Sequence, residues 1–144
     1  MIRAFVDASV LFAATYSDTG ASREILRCAI RDEISLVISQ LVLDEVERNL
    51  QNKAPGLLVG FLYLRDAVAF ELVYPTKLEV EAAMQYCAVK DAAIVAAAKA
   101  AGVAYLVSLD RRHLVDPPEV ATGSGVSIVL PGELLQVIRN WEGN

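Results

Sequence analysis

Five short apolar runs alternate along this chain with longer stretches of helical periodicity, and this alternation restricts the possible folds more than any other feature. The runs are Met1–Val6, Ile34–Ile38, Phe70–Tyr74, Ala104–Ser108 and Val126–Leu130. Each reads as a continuous apolar strand, which needs cover on both faces. Between them the sequence predicts helices over Ser9–Tyr16, Ala21–Arg31, from a Ser39 cap to about Asn52, and over Gly56–Val68 behind Pro55. Further helices are predicted from Thr76 or Lys77 to Tyr86, from Asp91 to a stop at Gly102, and from Pro131 to about Trp141. Pro117–Gly125, rich in Pro, Gly, Ser and Thr, reads as a loop. Strands alternating with helices imply an α/β fold, a three-layer α/β/α sandwich on a mostly parallel sheet of about five strands. There is no repeat, linker or low-complexity segment, so residues 1–144 are expected to form a single domain.

Composition removes several chemistries. The chain has a single histidine, His113, so no His/His acid–base pair forms within it. With Cys28 and Cys87 added, a zinc site would have three Cys/His ligands at most, and no CxxC or HExxH spacing occurs. Two cysteines 59 positions apart read as buried thiols in a reducing cytosol, so a cytoplasmic location is expected. Arg3 and Asp7 interrupt the start, which does not read as a signal peptide. The longest uncharged apolar stretches, Pro55–Leu64 and Ala92–Ala98, are shorter than the roughly 18 residues of a membrane helix. A net charge of −5 disfavours indiscriminate binding of nucleic acid. A hydrophobic fraction of 55% suggests a buried interface in addition to a core.

What remains is acidic. Function in open parallel sheets collects beyond the carboxyl ends of the strands. Asp7 and Asp110 lie at or just past two such ends, and Asp91 opens a helix that can face the same crevice. The helix after the second strand offers Asp44, Glu45 and Glu47. Val42, Leu43, Val46 and Leu50 define its buried face, so Asp44 points to water while Glu45 and Glu47 flank that face on opposite sides. Spacing does not choose between those two. Each aspartate also has a plainer role as a cap: Asp7 for the helix near Ser9, Asp91 for its own helix, Asp110 for a short turn through His113 and Leu114. Taken together, carboxylates that converge without a matching Lys or Arg call for hard divalent cations, Mg²⁺ or Mn²⁺.

These residues resemble a known family. Val6-Asp7-Ala8-Ser9-Val10-Leu11 is similar to the opening signature of PIN-domain nucleases, and Leu41–Leu50, with Glu45, to their second acidic motif. Lys90-Asp91 followed by Ala92–Ala98 resembles the third, an Asp leading an Ala-rich helix. Val107-Ser108-Leu109-Asp110 resembles the fourth, and Gly125–Leu135 the closing strand and helix of the toxin branch. The resemblance implies a PIN-like domain with Asp7, Glu45, Asp91 and Asp110 as catalytic, metal-binding acids around Mg²⁺ or Mn²⁺. It selects Glu45 over Glu47 and gives Ser108 an orienting role beside the cofactor. It implies an endoribonuclease that hydrolyses RNA phosphodiesters to 5′-phosphate and 3′-hydroxyl ends, often the toxin of a toxin–antitoxin pair. The partners implied are an RNA substrate, a small antitoxin protein and a second copy of the chain. Two positions depart from the family pattern: Leu109 replaces a small glycine, and Arg112 stands where a further acid is common, with Asp116 a poorer substitute.

Other readings fit less well. A haloacid-dehalogenase-like phosphatase needs an acid where this chain has Ser9, a phosphoryl receiver needs an Asp where it has Tyr74-Pro75, and Gly123-Ser124-Gly125 precedes the last strand rather than following the first. The rival of a different class is a catalytically inactive PIN-like scaffold acting through protein binding. Leu57, Leu58, Val59, Phe61 and Leu62 are its candidate groove, against a reading as ordinary core. Lys90, Arg111, Arg112 and Arg48 lie near the motifs as candidate phosphate contacts. Without the four acids the net charge is −1, so a cation-loaded site would let RNA approach.

Overall fold

The structure, a computed structural model, describes residues 1–141. Five strands form one sheet: β1 (Arg3–Val6), β2 (Ser35–Ser39), β3 (Glu71–Val73), β4 (Tyr105–Val107) and β5 (Ser127–Val129). Their order is β3-β2-β1-β4-β5, and every neighbouring pair is parallel. The central strands are the most apolar. Ala4, Phe5 and Val6 on β1, and Leu106 and Val107 on β4, are fully buried, because helices cover both sides of the sheet. β3 and β5, at the edges, are shorter than their apolar runs. Arg3 on β1 reaches across β2 to pair with Glu71 on β3.

The helices are α1 (Ala8–Tyr16), α2 (Ala21–Ile30), α3 (Gln40–Lys53), α4 (Leu58–Val68), α5 (Lys77–Ala83), α6 (Ala92–Ala101), α7 (Pro118–Ser124) and α8 (Pro131–Asn140). α1 packs on α2 and α3, and α2 packs on α4 and α8. α6 lies against β2, β3 and β4 and carries α5 and α7. The alanines of α6 permit this close approach: Ala92, Ala96, Ala97 and Ala98 are buried. Ser39 caps α3 as expected, its hydroxyl accepting the Val42 N–H at 3.3 Å. Gly102 ends α6 in the left-handed region at φ +67°, where a side chain is strained.

Two local expectations are corrected. Pro117–Gly125 is not a loop but contains α7, which buries Val120 and Ser124. The expected helix over Gly56–Val68 is a 3₁₀ turn, Pro55–Leu57, followed by α4. Of the apolar residues of that region, four follow the reading as ordinary core: Phe61 is buried and Leu57, Leu58 and Leu62 pack against the core, while Val59 is exposed. Cys28 is buried and Cys87 half-buried, and both are free thiols. Among the described residues no helix is long and apolar enough to cross a membrane.

The strand order sets the position of the site. From β1 the chain builds outward to β2 and β3, then returns to place β4 and β5 on the other side. The crevice past the carboxyl ends of β1 and β4 is therefore the topological switch point. Val6 pairs with Val107, so Asp7 and Ser108 leave the sheet side by side, and the Asp7 N–H donates to the Val107 carbonyl at 3.1 Å.

Candidate functional site

Asp7 caps α1 through one oxygen and faces the crevice with the other. Its Oδ1 accepts the Ala8 N–H at 2.7 Å. Its Oδ2 accepts the Ser108 hydroxyl at 2.7 Å and the Ser9 hydroxyl at 3.0 Å. Both serines pass the connection on to the turn after β4: Ser108 Oγ accepts the Asp110 N–H at 3.0 Å, and Ser9 Oγ accepts the Leu109 N–H at 3.1 Å. Burying a carboxylate is costly unless hydrogen bonds satisfy it, and these three satisfy Asp7.

Asp110 opens a five-residue π turn, Arg111–Val115, and caps it by accepting the His113 N–H at 3.0 Å. Such turns often occur at functional sites. The other oxygen of Asp110 lies 3.3 Å from His113 Nδ1 and 3.4 Å from Lys90 Nζ. Burial pushes the Asp110 carboxyl up, but the His113 N–H and Lys90 outweigh it and leave its pKa below the usual value.

Asp91 is different. It sits at the start of α6, after a 3₁₀ turn over Val89–Asp91, yet its side chain makes no capping bond. It is 7% exposed, and its Oδ2 is buried without a hydrogen-bond partner. Lys90 Nζ approaches that oxygen to 3.5 Å without hydrogen-bond alignment. Burial raises the Asp91 pKa against the pull of Lys90, and the charges of Asp110 and Asp7 raise it further.

The structure separates the two glutamates that spacing left tied. Glu47 pairs with Arg65 on α4 at 3.6 Å, away from the crevice. Glu45 is half-buried and raised first by burial and then by the charge of Asp7, with a smaller contribution from Asp91. Asp44 is exposed and accepts from Gln40. Asp7, Ser108 and Asp110 thus form one hydrogen-bonded chain, Lys90 links Asp110 to Asp91, and Glu45 faces the same charges across the crevice.

The expectation of an acidic cluster with no matching cation is corrected, because Lys90 lies between Asp91 and Asp110. Among the described residues no three His, Cys, Asp or Glu side chains converge tightly enough to make a ready ligand cage. The donors nevertheless suit a hard divalent cation: all four acids offer oxygen, and Asp91 holds one buried oxygen with no hydrogen-bond partner. Asp116 stands apart, 3.8 Å from Arg111.

Two residues that touch this network were not picked out from the sequence. Ser9 repeats the role of Ser108, and its signal was a hydroxyl two positions after an Asp that ends a strand. His113 contacts Asp110, and its signal was the i,i+3 spacing on a short turn. Two cavities flank the turn after β4. One, of about 480 Å³, is bounded by Ala13, Ser22, Leu109, Arg111 and Leu130. The other, of about 410 Å³, is bounded by Gln85, Tyr86, Arg112, His113 and Glu119.

The fold and the site together define a doubly wound parallel-sheet protein with carboxylates gathered at its switch point. A family model described as the PIN domain matches residues 3–112, and the chain belongs to the PIN-domain family. Proteins of this family are generally nucleases, hydrolases that act on nucleic acid with divalent metal ions. Among solved structures the chain is similar to PAE2754 from Pyrobaculum aerophilum, at 20% identity and a TM-score of 0.61, over 97% of this chain and 98% of that one. This likeness is one of fold. No curated protein matches the chain.

Proposed function

We propose that this chain is a metal-dependent endoribonuclease, folded as one domain over residues 1–144, with Asp7, Glu45, Asp91 and Asp110 as its catalytic and metal-holding residues. The observation that carries this reading is the buried Oδ2 of Asp91, which has no aligned hydrogen-bond partner and only the ion-pair approach of Lys90 at 3.5 Å, among the charges of three other acids. Leaving such an oxygen unsatisfied costs about 1–3 kcal/mol, which a cation would remove. Mg²⁺ or Mn²⁺ bound by these acids supplies Lewis-acid activation of water and neutralises charge on the phosphodiester. Asp7 is held for this task by Ser9 and Ser108, which fix its Oδ2 towards the crevice. Lys90, exposed beside Asp91 and Asp110, would meet a phosphate oxygen. The toxin role, a small antitoxin partner, a homodimer and a cytoplasmic location complete the proposal, supported by the resemblance of Gly125–Leu135 to the toxin branch.

Lys90 also favours a second reading, a PIN-like scaffold without catalysis, since its ammonium already partly compensates Asp91 and Asp110. One pair of experiments separates the two. Millimolar Mg²⁺ or Mn²⁺ should raise the melting temperature by relieving carboxylate repulsion, and Asp7→Asn should abolish RNA cleavage while preserving the circular-dichroism spectrum. A melting curve indifferent to both metals would overturn the nuclease reading, and metal-dependent cleavage retained by Asp7→Asn would remove Asp7 from the mechanism.

A further inference from the structure

The cavity of about 410 Å³ beside the acidic crevice has a composition the nuclease reading does not yet use. Its volume lies in the range of small-ligand sites. Arg112 and Glu119 both line it, and among the described residues neither has an ion-pair partner within 4.0 Å. Two opposite charges that line one pocket without pairing leave room between them for a ligand with both donors and acceptors. Glu119 comes from the first turn of α7, the helix that the sequence reads as a loop. Arg112 occupies the position where the family resemblance would place a further acid.

One wall of the pocket is also pre-formed. A methyl group at Gly123 would lie 2.2 Å from the Tyr86 ring, so the ring is seated against bare backbone. Lys99 Nζ stands 6.0 Å from the ring centroid. Tyr86 is therefore a fixed wall, and rigid walls lower the ordering cost of binding. One imidazole separates the pocket from the crevice: His113 lines the pocket, and its Nδ1 lies 3.3 Å from Asp110 Oδ2. A nucleotide whose phosphate sits at the acids has its base within reach of this pocket.

We infer that the Tyr86–Arg112–Glu119 pocket is a nucleobase subsite that selects guanine next to the bond cleaved. Guanine presents two adjacent N–H donors, N1 and N2, which a single carboxylate accepts together. It also presents O6 and N7, which a guanidinium can donate to. Adenine, cytosine and uracil lack that pair of donors. Single-stranded RNA, with its bases splayed out, is the form that can deliver such an edge. The inference rests on the nuclease reading for the position of the phosphate, but the base contacts can be measured without catalysis.

The full chain is titrated by calorimetry and NMR with the 5′-monophosphates of guanosine, adenosine, cytidine and uridine, which share one phosphate. Guanosine monophosphate should bind about tenfold tighter than the others, with shifts at Gln85, Tyr86, Arg112 and His113. Glu119→Gln should reduce its affinity to that of adenosine monophosphate, and Asp7→Asn should still bind it. Equal affinities for the four nucleotides, or a preference for guanosine untouched by Glu119→Gln and Arg112→Ala, would overturn the subsite. Selective guanosine binding by a chain that cleaves no RNA supports the subsite and counts against the nuclease reading. Metal-dependent cleavage without base preference does the reverse.

Discussion

Asp91 is the residue whose energetics are least balanced by its neighbours. Asp7 is satisfied by three hydrogen bonds and Asp110 by a backbone N–H and Lys90. Asp91 has the 3.5 Å approach of a largely exposed lysine, a contact screened by water and worth little. Its raised pKa means that burial disfavours the charged carboxylate in the folded protein relative to the unfolded chain. Asparagine imitates the neutral form and can donate to the nearby acids. Asp91→Asn should therefore stabilise the metal-free protein near neutral pH by about 1 kcal/mol, a rise of about 2–4 °C in melting temperature. The same variant should lose most of the stabilisation that Mg²⁺ gives the parent chain. Differential scanning calorimetry with and without Mg²⁺ checks both. A fall in metal-free stability would show that Asp91 is better compensated than its hydrogen bonding indicates.

At the scale of the element, the site depends on where helices begin. Glu45 lies in the second turn of α3, whose start is fixed by the Ser39 cap at the end of β2. Ser39→Ala should cost about 1 kcal/mol and lower the melting temperature by about 2–4 °C. It should also raise the Mg²⁺ concentration needed for half-maximal thermal stabilisation, because the frayed first turn is the one that anchors the turn carrying Glu45. Asp44→Ala, on the exposed face of the same helix, should change either reading little. The cap was legible as a serine before a periodic apolar run, and so were the sheet, its parallel sense and the order of the acids. Other elements were less legible. α7 escaped because Pro117–Gly125 has the composition of a loop, and burial of Val120 and Ser124 overrides that local preference. β3, β4 and β5 each pair over only three residues of their five-residue apolar runs, so run length overstated strand length at the edge and inside the sheet alike. Spacing left Glu45 and Glu47 tied and only the family resemblance chose Glu45; the contact of Glu47 with Arg65, which lies on another helix, was not legible in the sequence. Lys90 was visible as a neighbour of Asp91, but its approach to Asp110 spans twenty residues of chain and depends on tertiary structure.

For the whole molecule, a net charge of −5 and a concentration of acids at one point of the fold make stability a function of pH and divalent cations. Two groups pull one way: the folded-state pKa values of Asp91 and Glu45 are both raised. Between the unfolded carboxylate values near about 4 and those raised values, the folded protein binds more protons than the unfolded chain. This contribution is complete below about pH 4 and is lost as pH rises through the folded values. Asp110 pulls the other way, because its folded-state pKa is lowered. Its contribution is present above about pH 4 and is lost as pH falls through the lowered value. The part of metal-free stability that Asp91 and Glu45 supply therefore declines as pH rises, against the opposite slope of Asp110. Divalent cations act on the ionised acids, so the Mg²⁺-dependent rise in melting temperature should be small near about pH 5 and larger near about pH 8. Calorimetric melts at both pH values, with and without Mg²⁺, measure this difference. A rise of equal size at both would mean that the cation stabilises the protein somewhere other than through these carboxylates.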